Sequence, residues 1–395
     1  MKNKKKILWV SPTNLFDTTS GFALSVKQML KQLHKSNYAV HILSATIFDK
    51  KEGMSKIQQH KEFTAKNLNK FIKILDGDLI HNTFVTKDIK REKMMSYEEN
   101  IFFQEYCKIL EDYQIDLVFT YGDGLLDSNI TREAKNLNIT TMAYLVNPNF
   151  KGKRWIRDID LIITDSLATS KMYKQREGYD ITCVGDFLSK DMYISKTYTK
   201  KNILFINPSL QKGVLFVIQL ALYLEKIASD IVFEVVNSRG NWQSILKHIT
   251  KKLGNERESL PNVIVTENTY DMKSVYSRAK LLLVPSFWFD SGPRVIAEAQ
   301  LNAIPVIGST SGGIPEMIGK GGLLINFSDE FYKEPYTTLV DIKTIEKIGS
   351  NILRFYSDDE YYKDYSKKAL EHANKHHNIY DNTKKLVKTI DSLLS

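Results

Sequence analysis

Short apolar runs alternate with segments of helical periodicity along the second half of the chain. Four of these runs occupy residues 202–206, 231–236, 281–284 and 304–308. After the first run and a polar loop, apolar residues recur at helical spacing over residues 214–224. Short, continuous apolar runs are typical of strands that are buried on both faces of a parallel sheet. The pattern therefore predicts an α/β domain in which each strand is followed by a helix.

The first half shows the same alternation with a weaker pattern. Strands are predicted at residues 7–10, 39–43, 78–81, 116–119, 140–145, 160–163 and 181–184. Residues 48–78 are rich in lysine and weakly patterned, and they are predicted to form helix plus loop. Because 395 residues exceed the usual size of one domain, we predict an amino-terminal domain at residues 1–192, a second domain at 193–372 and a final helical segment at 373–395.

The composition indicates which cellular compartment and which classes of partner to expect. Two cysteines, Cys107 and Cys183, are too few for a disulfide framework and suit a reducing cytosol. The lysines at residues 2–6 precede an apolar run that is too short for a signal peptide, so we expect a cytoplasmic protein. A net charge of +9 favours anionic partners, including a membrane surface and lipid-linked pyrophosphates. The sequence has no metal-ligand spacing and no nucleic-acid-binding motif, so we expect neither partner.

Two carboxylates stand eight positions apart in the most informative segment of the chain. Asp290 follows the strand predicted at 281–284, and Glu298 lies about two turns into a helix that Pro293 is suited to begin. The N-terminus of a helix favours anions, and nearby carboxylates can accept hydrogen bonds from sugar hydroxyls. The segment therefore indicates a nucleotide-sugar site. A purely structural interpretation stays open, in which Asp290 caps the helix and Glu298 lies on a solvated face.

Three further loops that follow predicted strands carry compatible residues. Lys212 lies just before a predicted helix, where a lysine is locally unfavourable unless an anion is present. Arg239 follows the second strand, and Gly312 and Gly313 follow the fourth, where they allow close approach of the backbone. Loops at the carboxyl ends of parallel strands share one edge of the sheet, and ligands bind there. Four such loops together favour a binding site.

On these residues the chain resembles glycosyltransferase family 4, whose members have the GT-B fold. The motifs concerned are Asp290-x7-Glu298, Asn207-Pro-x-x-x-Lys212-Gly213, Ser309-x-x-Gly312-Gly313-Ile314-Pro315-Glu316 and Gly21 near the amino end. The resemblance follows the whole chain in the order of its elements and is specific mainly over residues 200–325. It implies an α/β protein of two Rossmann-like domains, with parallel sheets that face each other across a cleft and a final helix that crosses back to the first domain.

The resemblance also implies roles for individual residues. Glu298 accepts hydrogen bonds from the nucleotide ribose, and Asp290 contacts hydroxyls of the donor sugar. Lys212 holds the diphosphate, with Arg239 as its partner. Gly21 lies against the donor phosphate, although a plain turn glycine explains that position equally well. The donor-binding residues are Gly21, Lys212, Gly213, Arg239, Asp290, Ser291, Gly292, Arg294 and Glu298, and the catalytic ones among them are Lys212, Asp290 and Glu298.

Three features depart from the usual pattern of this family. Asp290 is one methylene shorter than the Glu that is usual there. Pro293 stands where Gly is frequent, and proline has no N–H to offer a phosphate. Asn207 and Pro208 replace a Gly-Arg phosphate loop. Each departure bears on the choice of donor.

The function implied by the resemblance is that of a retaining, metal-independent glycosyltransferase. The donor is a nucleotide-diphosphate sugar, expected to be a UDP-sugar rather than a GDP-sugar, and no resident cofactor is expected. The acceptor is a glycan, glycolipid or protein in the biosynthesis of cell-surface polysaccharide or glycoconjugate, and the positive charge suits peripheral contact with the inner membrane face. Two other interpretations stay open: a sugar-nucleotide epimerase of the same fold, and a non-catalytic GT-B subunit that supports a partner enzyme.

Overall fold

The computed structural model describes residues 4–59, 65–252 and 254–395. Part of the lysine cluster at residues 2–6, and part of the segment at 48–78 that is predicted as helix plus loop, lie outside the described residues. The chain divides into two compact units. The first unit combines Met1–Phe187 with Ile379–Ser395, and the second is Leu188–Asn378.

Strands and helices alternate through both units. The strands are β1 (Lys6–Val10), β2 (Ala39–Ala45), β3 (Phe71–Asp76), β4 (Leu79–Phe84), β5 (Leu117–Thr120), β6 (Thr140–Tyr144), β7 (Leu161–Thr164), β8 (Ile181–Cys183), β9 (Asn202–Ile206), β10 (Phe233–Val236), β11 (Val263–Thr266), β12 (Ala279–Val284), β13 (Val306–Ser309) and β14 (Gly322–Ile325). The helices are α1 (Gly21–Lys35), α2 (Ser96–Asp112), α3 (Leu125–Asn136), α4 (Leu167–Glu177), α5 (Lys190–Tyr193), α6 (Val214–Ile227), α7 (Trp242–Lys252), α8 (Met272–Arg278), α9 (Arg294–Leu301), α10 (Ile314–Ile318), α11 (Ile342–Ser357), α12 (Asp359–His376) and α13 (Ile379–Leu393).

The first unit is built on a sheet that has eight strands within the described residues, in the order β3-β4-β2-β1-β5-β6-β7-β8. All neighbouring strands are parallel except β3 and β4. Side chains alternate between the two faces of the central strand β1. Ile7 and Trp9 pack with α1 and α13 on one face, and Leu8 and Val10 pack with α2 and α3 on the other. This double burial explains why β1 is a continuous apolar run.

The second unit has a parallel sheet in the order β11-β10-β9-β12-β13-β14. Its central strand β9 is also covered on both faces. Ile203 and Phe205 face a core with α6 and α11, whereas Leu204 faces a core with α9. The chain runs from β9 outward to β11 and then returns to β12 on the other side of β9. This reversal creates a topological switch point between β9 and β12.

The final helix α13 belongs to the first unit. Leu386 and Ile390 are fully buried in the core that contains Trp9. The amide of Asn382 donates a hydrogen bond to the carbonyl oxygen of Asp186 at 2.7 Å. Gly185, with φ of +83°, accommodates this approach, because a Cβ there would meet the Asn382 side chain at 2.6 Å. Within the described residues, no helix has the length and apolar character that a membrane span requires.

The segment at residues 48–78 differs from its prediction. Instead of a regular helix, its described part contains short 3-10 helices and then the strand β3, which pairs antiparallel with β4. Ile72 and Ile74 of β3 are buried, whereas Lys73 and Leu75 are exposed. A strand with one exposed face alternates apolar and polar positions. The strand β3 has only six residues and lies in a lysine-rich stretch, so this alternation is hard to recognise in the sequence.

Candidate functional site

The four loops singled out in the sequence follow four adjacent strands of the second unit. The strands β10, β9, β12 and β13 are neighbours in this order and run parallel. Their carboxyl ends therefore lie side by side at one edge of the sheet, with the switch point at the middle. Parallel open sheets bind ligands at such an edge.

Lys212 and Asp290 form an ion pair between the Lys212 Nζ and the Asp290 Oδ1 across this switch point. Lys212 ends a 3-10 helix, Leu210–Lys212, that precedes α6. Gly213 follows with φ of +78°, and a Cβ at this position would collide with the carbonyl oxygen of Pro285. Only a glycine therefore lets the loop after β9 pack this closely against the loop after β12.

The Asp290 side chain faces Lys212 and does not cap α9. The helix begins at Arg294 with Pro293 in the N-cap position, and no side chain accepts a cap hydrogen bond there. The Asp290 carbonyl oxygen accepts a hydrogen bond from the backbone N–H of Gly313 at 2.7 Å. The second carboxylate oxygen of Asp290, Oδ2, is buried and has no hydrogen-bond partner among the described residues. A buried acceptor without a partner costs free energy, and a ligand hydroxyl could satisfy it.

Asn207 joins the loops after β9 and β10. It adopts the left-handed conformation, with φ of 63°. Its Oδ1 accepts hydrogen bonds from the backbone N–H groups of Arg239 and Gly240, both at 3.1 Å. A Cβ at Gly240 would collide with the carbonyl oxygen of Pro208. The Arg239 side chain is exposed, and its loop is next to the loop that carries Lys212.

Glu298 lies inside α9 and is only 5% exposed. The Tyr276 hydroxyl donates a hydrogen bond to its Oε2 at 2.7 Å. The Arg294 Nε lies 3.5 Å from its Oε1, and the Arg294 Nη2 donates a hydrogen bond to the Tyr193 hydroxyl at 3.1 Å. Burial and then the negative charge of Glu298 hold the pKa of Tyr276 well above its usual value. The Tyr276 hydroxyl therefore stays protonated and remains a donor to the carboxylate.

The other predicted site residues occupy different positions. Ser291 and Arg294 are buried, at 4% and 7% exposure, and Gly292 is half-buried in the loop before α9. Gly21 is an exposed residue at the start of α1 and belongs to the first unit. The structure thus brings Lys212 and Asp290 into one ion pair, and it brings Arg294 and Glu298 into another.

Tyr276 and Tyr193 contact the Glu298–Arg294 pair and are absent from the sequence-based set. Tyr276 lies on α8, 22 positions before Glu298, and Tyr193 lies on α5, 101 positions before Arg294. No spacing within one element connects these residues, because tertiary packing of three helices brings them together. A sequence pattern therefore offered no signal for either tyrosine.

A comparison with family models matches residues 190–372 to the family described as Glycosyl transferases group 1. The matched segment contains Lys212, Arg239, Asp290 and Glu298. A comparison with curated proteins gives no match.

Solved structures of similar fold cover nearly the whole chain. A glycosyltransferase from Rickettsia africae ESF-5 is 14% identical, with a TM-score of 0.68, and the alignment covers 100% of this chain and 99% of that chain. Sucrose-phosphate synthase from Thermosynechococcus elongatus is 14% identical, with a TM-score of 0.69 and coverage of 99% of both chains. The Anabaena protein Alr3699/HepE in complex with UDP and glucose is 13% identical, with a TM-score of 0.68 and coverage of 98% of this chain and 100% of that chain.

These neighbours are glycosyltransferases of the GT-B fold, so the predicted fold class, with two domains that each contain a largely parallel sheet, is confirmed. At 13–14% identity the likeness concerns the fold alone. Membership of glycosyltransferase family 4 stays a prediction.

Proposed function

We propose that this protein is a retaining glycosyltransferase that moves a sugar from a nucleotide-diphosphate sugar to a glycan, glycolipid or protein acceptor. The observation that carries the proposal is the Lys212–Asp290 pair at the switch point of a glycosyltransferase group 1 domain. A cation for the diphosphate and an acid for the sugar stand side by side there. The unpartnered Oδ2 of Asp290 gives a donor-sugar hydroxyl an acceptor.

The donor is assigned to the loops of the second unit. Lys212 binds the diphosphate together with the exposed Arg239, and Glu298 accepts hydrogen bonds from the ribose. A UDP-sugar is the favoured donor, since the neighbour Alr3699/HepE is described in complex with UDP and with UDP-glucose. Gly213 lets the loop after β9 approach Pro285 closely, and we assign Ser291 and Gly292, in the loop before α9, to the same donor site.

The transfer proceeds on one face of the donor sugar. The bond between the anomeric carbon and the diphosphate oxygen breaks, and its electron pair leaves with the diphosphate. The acceptor oxygen bonds to the same face of the anomeric carbon, and its proton passes to a phosphate oxygen of the leaving group. Lys212 and Arg239 stabilise the negative charge that develops on the diphosphate, because preorganised cations act most strongly where charge appears. The mechanism assigns no step to a metal ion.

The first unit and the net charge support a proposal for the acceptor and for the cellular location. The amino-terminal domain binds the acceptor, and the net charge of +9 favours a lipid-linked or otherwise anionic one. Among the described residues, Cys107 and Cys183 form no disulfide, which suits a reducing compartment. We place the protein in the cytoplasm, with peripheral contact at the inner membrane face, in the biosynthesis of cell-surface polysaccharide or glycoconjugate.

A thermal-shift panel of UDP-, GDP-, ADP- and dTDP-sugars tests the proposal. A ligand at about 100 times its dissociation constant should add about 2.7 kcal/mol to the free energy of unfolding. We expect a UDP-sugar to stabilise the wild-type protein and to stabilise the Asp290→Asn variant less. If no nucleotide or nucleotide-sugar stabilises the protein, the proposed function is wrong.

Turnover then separates the proposal from its alternatives. The stabilising donor is incubated with candidate acceptors, and the anomeric configuration of the product is read by NMR. Conversion of the nucleotide-sugar without any acceptor would identify an epimerase, and binding without turnover would identify a non-catalytic subunit. A product of inverted configuration would contradict the retaining mechanism.

A further inference from the structure

We propose that Tyr276 is a positioning residue for nucleotide binding, which fixes the Glu298 carboxylate so that it can receive the ribose hydroxyls. The inference rests on the proposed function, because it needs Glu298 to be the ribose acceptor. It goes beyond that function in assigning part of the donor affinity to a residue on a different helix that does not itself contact the nucleotide.

The carboxylate of Glu298 is held from two sides. Tyr276 on α8 donates to Oε2 at 2.7 Å, and Arg294 on α9 approaches Oε1 at 3.5 Å. The two contacts act on the two different oxygens of the carboxylate, so its orientation is fixed at both. A group fixed by two partners keeps its remaining lone pairs in one direction.

Apart from one hydrogen bond, a phenyl ring could fill the place of the Tyr276 side chain among the described residues. Its ring is fully buried among apolar neighbours, including Val275, Ala279 and Ile296. Among the described residues, the hydroxyl donates its hydrogen bond to the Glu298 carboxylate. A charged acceptor makes this hydrogen bond stronger than one between neutral groups. The hydroxyl therefore acts on the orientation of Glu298, while the ring serves the packing.

Arg294 supplies the second constraint and is itself held. Its Nη2 donates to the Tyr193 hydroxyl at 3.1 Å, and its guanidinium lies over the Tyr193 ring, 5.7 Å from the centroid. Asn302 donates hydrogen bonds to the carbonyl oxygens of Tyr193 and Glu298, at 3.1 and 2.8 Å. The short helix α5 is thereby fastened to α9 at the turn that carries Glu298. The carboxylate thus points from a rigid frame of three helices.

The test measures how much binding affinity the protein gains from contacts with the ribose hydroxyls of UDP. The dissociation constants of UDP, 2′,3′-dideoxy-UDP and inorganic pyrophosphate are measured by calorimetry on the full chain. For the wild type, the ratio of the dideoxy-UDP constant to the UDP constant reports the hydroxyl contacts. We expect Tyr276→Phe to lower this ratio about fivefold to tenfold, with a weaker affinity for UDP and an unchanged affinity for pyrophosphate.

Tyr106→Phe is the matched control. Tyr106 is also fully buried, and its hydroxyl donates a hydrogen bond to the Ile130 carbonyl oxygen at 2.8 Å in the first unit. Both variants remove a buried tyrosine hydroxyl that donates a hydrogen bond. We therefore expect a comparable loss of stability in Tyr106→Phe, with no change in the ratio of the dideoxy-UDP constant to the UDP constant. Tyr193→Phe tests the second constraint and should lower the ratio about threefold.

Each outcome decides one assignment. If Glu298→Gln lowers the ratio and Tyr276→Phe does not, Tyr276 is not a positioning residue, and the proposed function stands. If Glu298→Gln leaves the ratio unchanged, the ribose assignment of the proposed function fails first. Equal weakening of all three ligands by Tyr276→Phe would show a purely structural role and overturn the inference. Should that variant not fold, Tyr193→Phe tests whether the frame around Glu298 is needed, and an unchanged ratio there overturns the inference that this frame positions the carboxylate.

Discussion

The Lys212 ammonium is paired with the Asp290 carboxylate, although the two residues are 78 positions apart in the sequence. Both side chains are largely covered, with 22% and 11% of their surfaces exposed. The pair joins the loops after β9 and β12, which are the two loops on either side of the switch point. In the proposed function a single donor uses both side chains, with Lys212 assigned to its diphosphate and Asp290 to its sugar.

The first prediction concerns Asp290, whose carboxylate is proposed to hold a donor-sugar hydroxyl. Asp290→Asn should lower kcat/KM about 10²-fold, since an amide is a weaker and differently aimed acceptor and a misplacement of about 1 Å can cost that much. Asp290→Glu should fold and shift the preference among donor sugars. Steady-state kinetics with several UDP-sugars measure both effects. Asp180→Asn, in an exposed ion pair with Lys174, is the control and should behave like the wild type.

The outcome for Asp290→Asn also decides whether Asp290 binds the donor or only caps a helix. Asparagine caps helices as well as aspartate does, so near-normal kinetics would remove Asp290 from the active site. The structure already argues against the capping role, because α9 begins at Arg294 without a side-chain cap.

The second prediction concerns the charge on Lys212. Lys212→Ala should lower kcat by about 10²–10³-fold, because one preorganised electrostatic contact to a developing charge is typically worth that much. The melting temperature should also fall, since the largely covered Asp290 carboxylate loses its partner, and kcat should fall by more than this loss of stability explains. Lys174→Ala removes an exposed cation of the first unit and serves as the control.

A chelator provides the complementary measurement for the same mechanism. Wild-type activity should persist in excess EDTA, because Lys212 and Arg239 are proposed to neutralise the diphosphate. Loss of activity in EDTA that manganese or magnesium restores would contradict the metal-independent mechanism.

The sequence predicts the architecture of the second unit well because its strands are buried on both faces. The run at 202–206 coincides with β9, and the run at 281–284 falls within β12. Parallel strands then force the four loops to one edge, so the joint location of Lys212 and Asp290 follows from topology alone. Their direct pairing does not follow, since it depends on side-chain conformations that no spacing encodes.

Other parts of the structure depend on packing between distant elements. The strand β3 has one exposed face, so its short alternating pattern is indistinct in a lysine-rich segment. The burial of Glu298 depends on α8 and α5, which approach α9 only in the folded chain. Sequence spacing placed Glu298 on the correct helix but could not show that Tyr276 and Arg294 hold it.

The third prediction concerns Glu298 and follows from its burial. Glu298→Gln should weaken UDP binding about 10- to 100-fold, because hydrogen bonds to a charged acceptor contribute about 1.5–3 kcal/mol. The variant should also be less stable, since the buried Arg294 loses the carboxylate that faces it. Calorimetry measures the affinity, and the thermal shift is compared with the ligand-free variant. Unchanged UDP affinity in a folded variant would contradict the ribose assignment.

The last prediction concerns a buried cluster in the first unit that lies outside the proposed site. His81 on β4 is fully buried, and neither ring nitrogen has a hydrogen-bond partner among the described residues. Asp76 lies 3.8 Å from its Nε2 and is paired with Lys31 at 2.9 Å, and Lys27 approaches Asp76 at 3.9 Å. Burial lowers the pKa of His81 to about 3, although Asp76 opposes this shift. The ring is therefore neutral in the folded protein at neutral and mildly acidic pH.

The sign of the pH effect follows from this lowered pKa. Below the ordinary histidine value of 6.5, the unfolded chain takes up a proton that the folded chain refuses, so acid favours unfolding. His81 therefore contributes stability that is fully present above about pH 6.5 and is lost at about 1.4 kcal/mol per pH unit as the pH falls toward 3. Lys27, with a pKa lowered to about 8 by burial, stays charged throughout this range. Urea unfolding at pH 7, 6 and 5 should show a shallower decline for His81→Leu than for the wild type. An NMR titration of the wild-type ring with a midpoint near 6.5 would show that burial does not keep His81 neutral, and the prediction would fail.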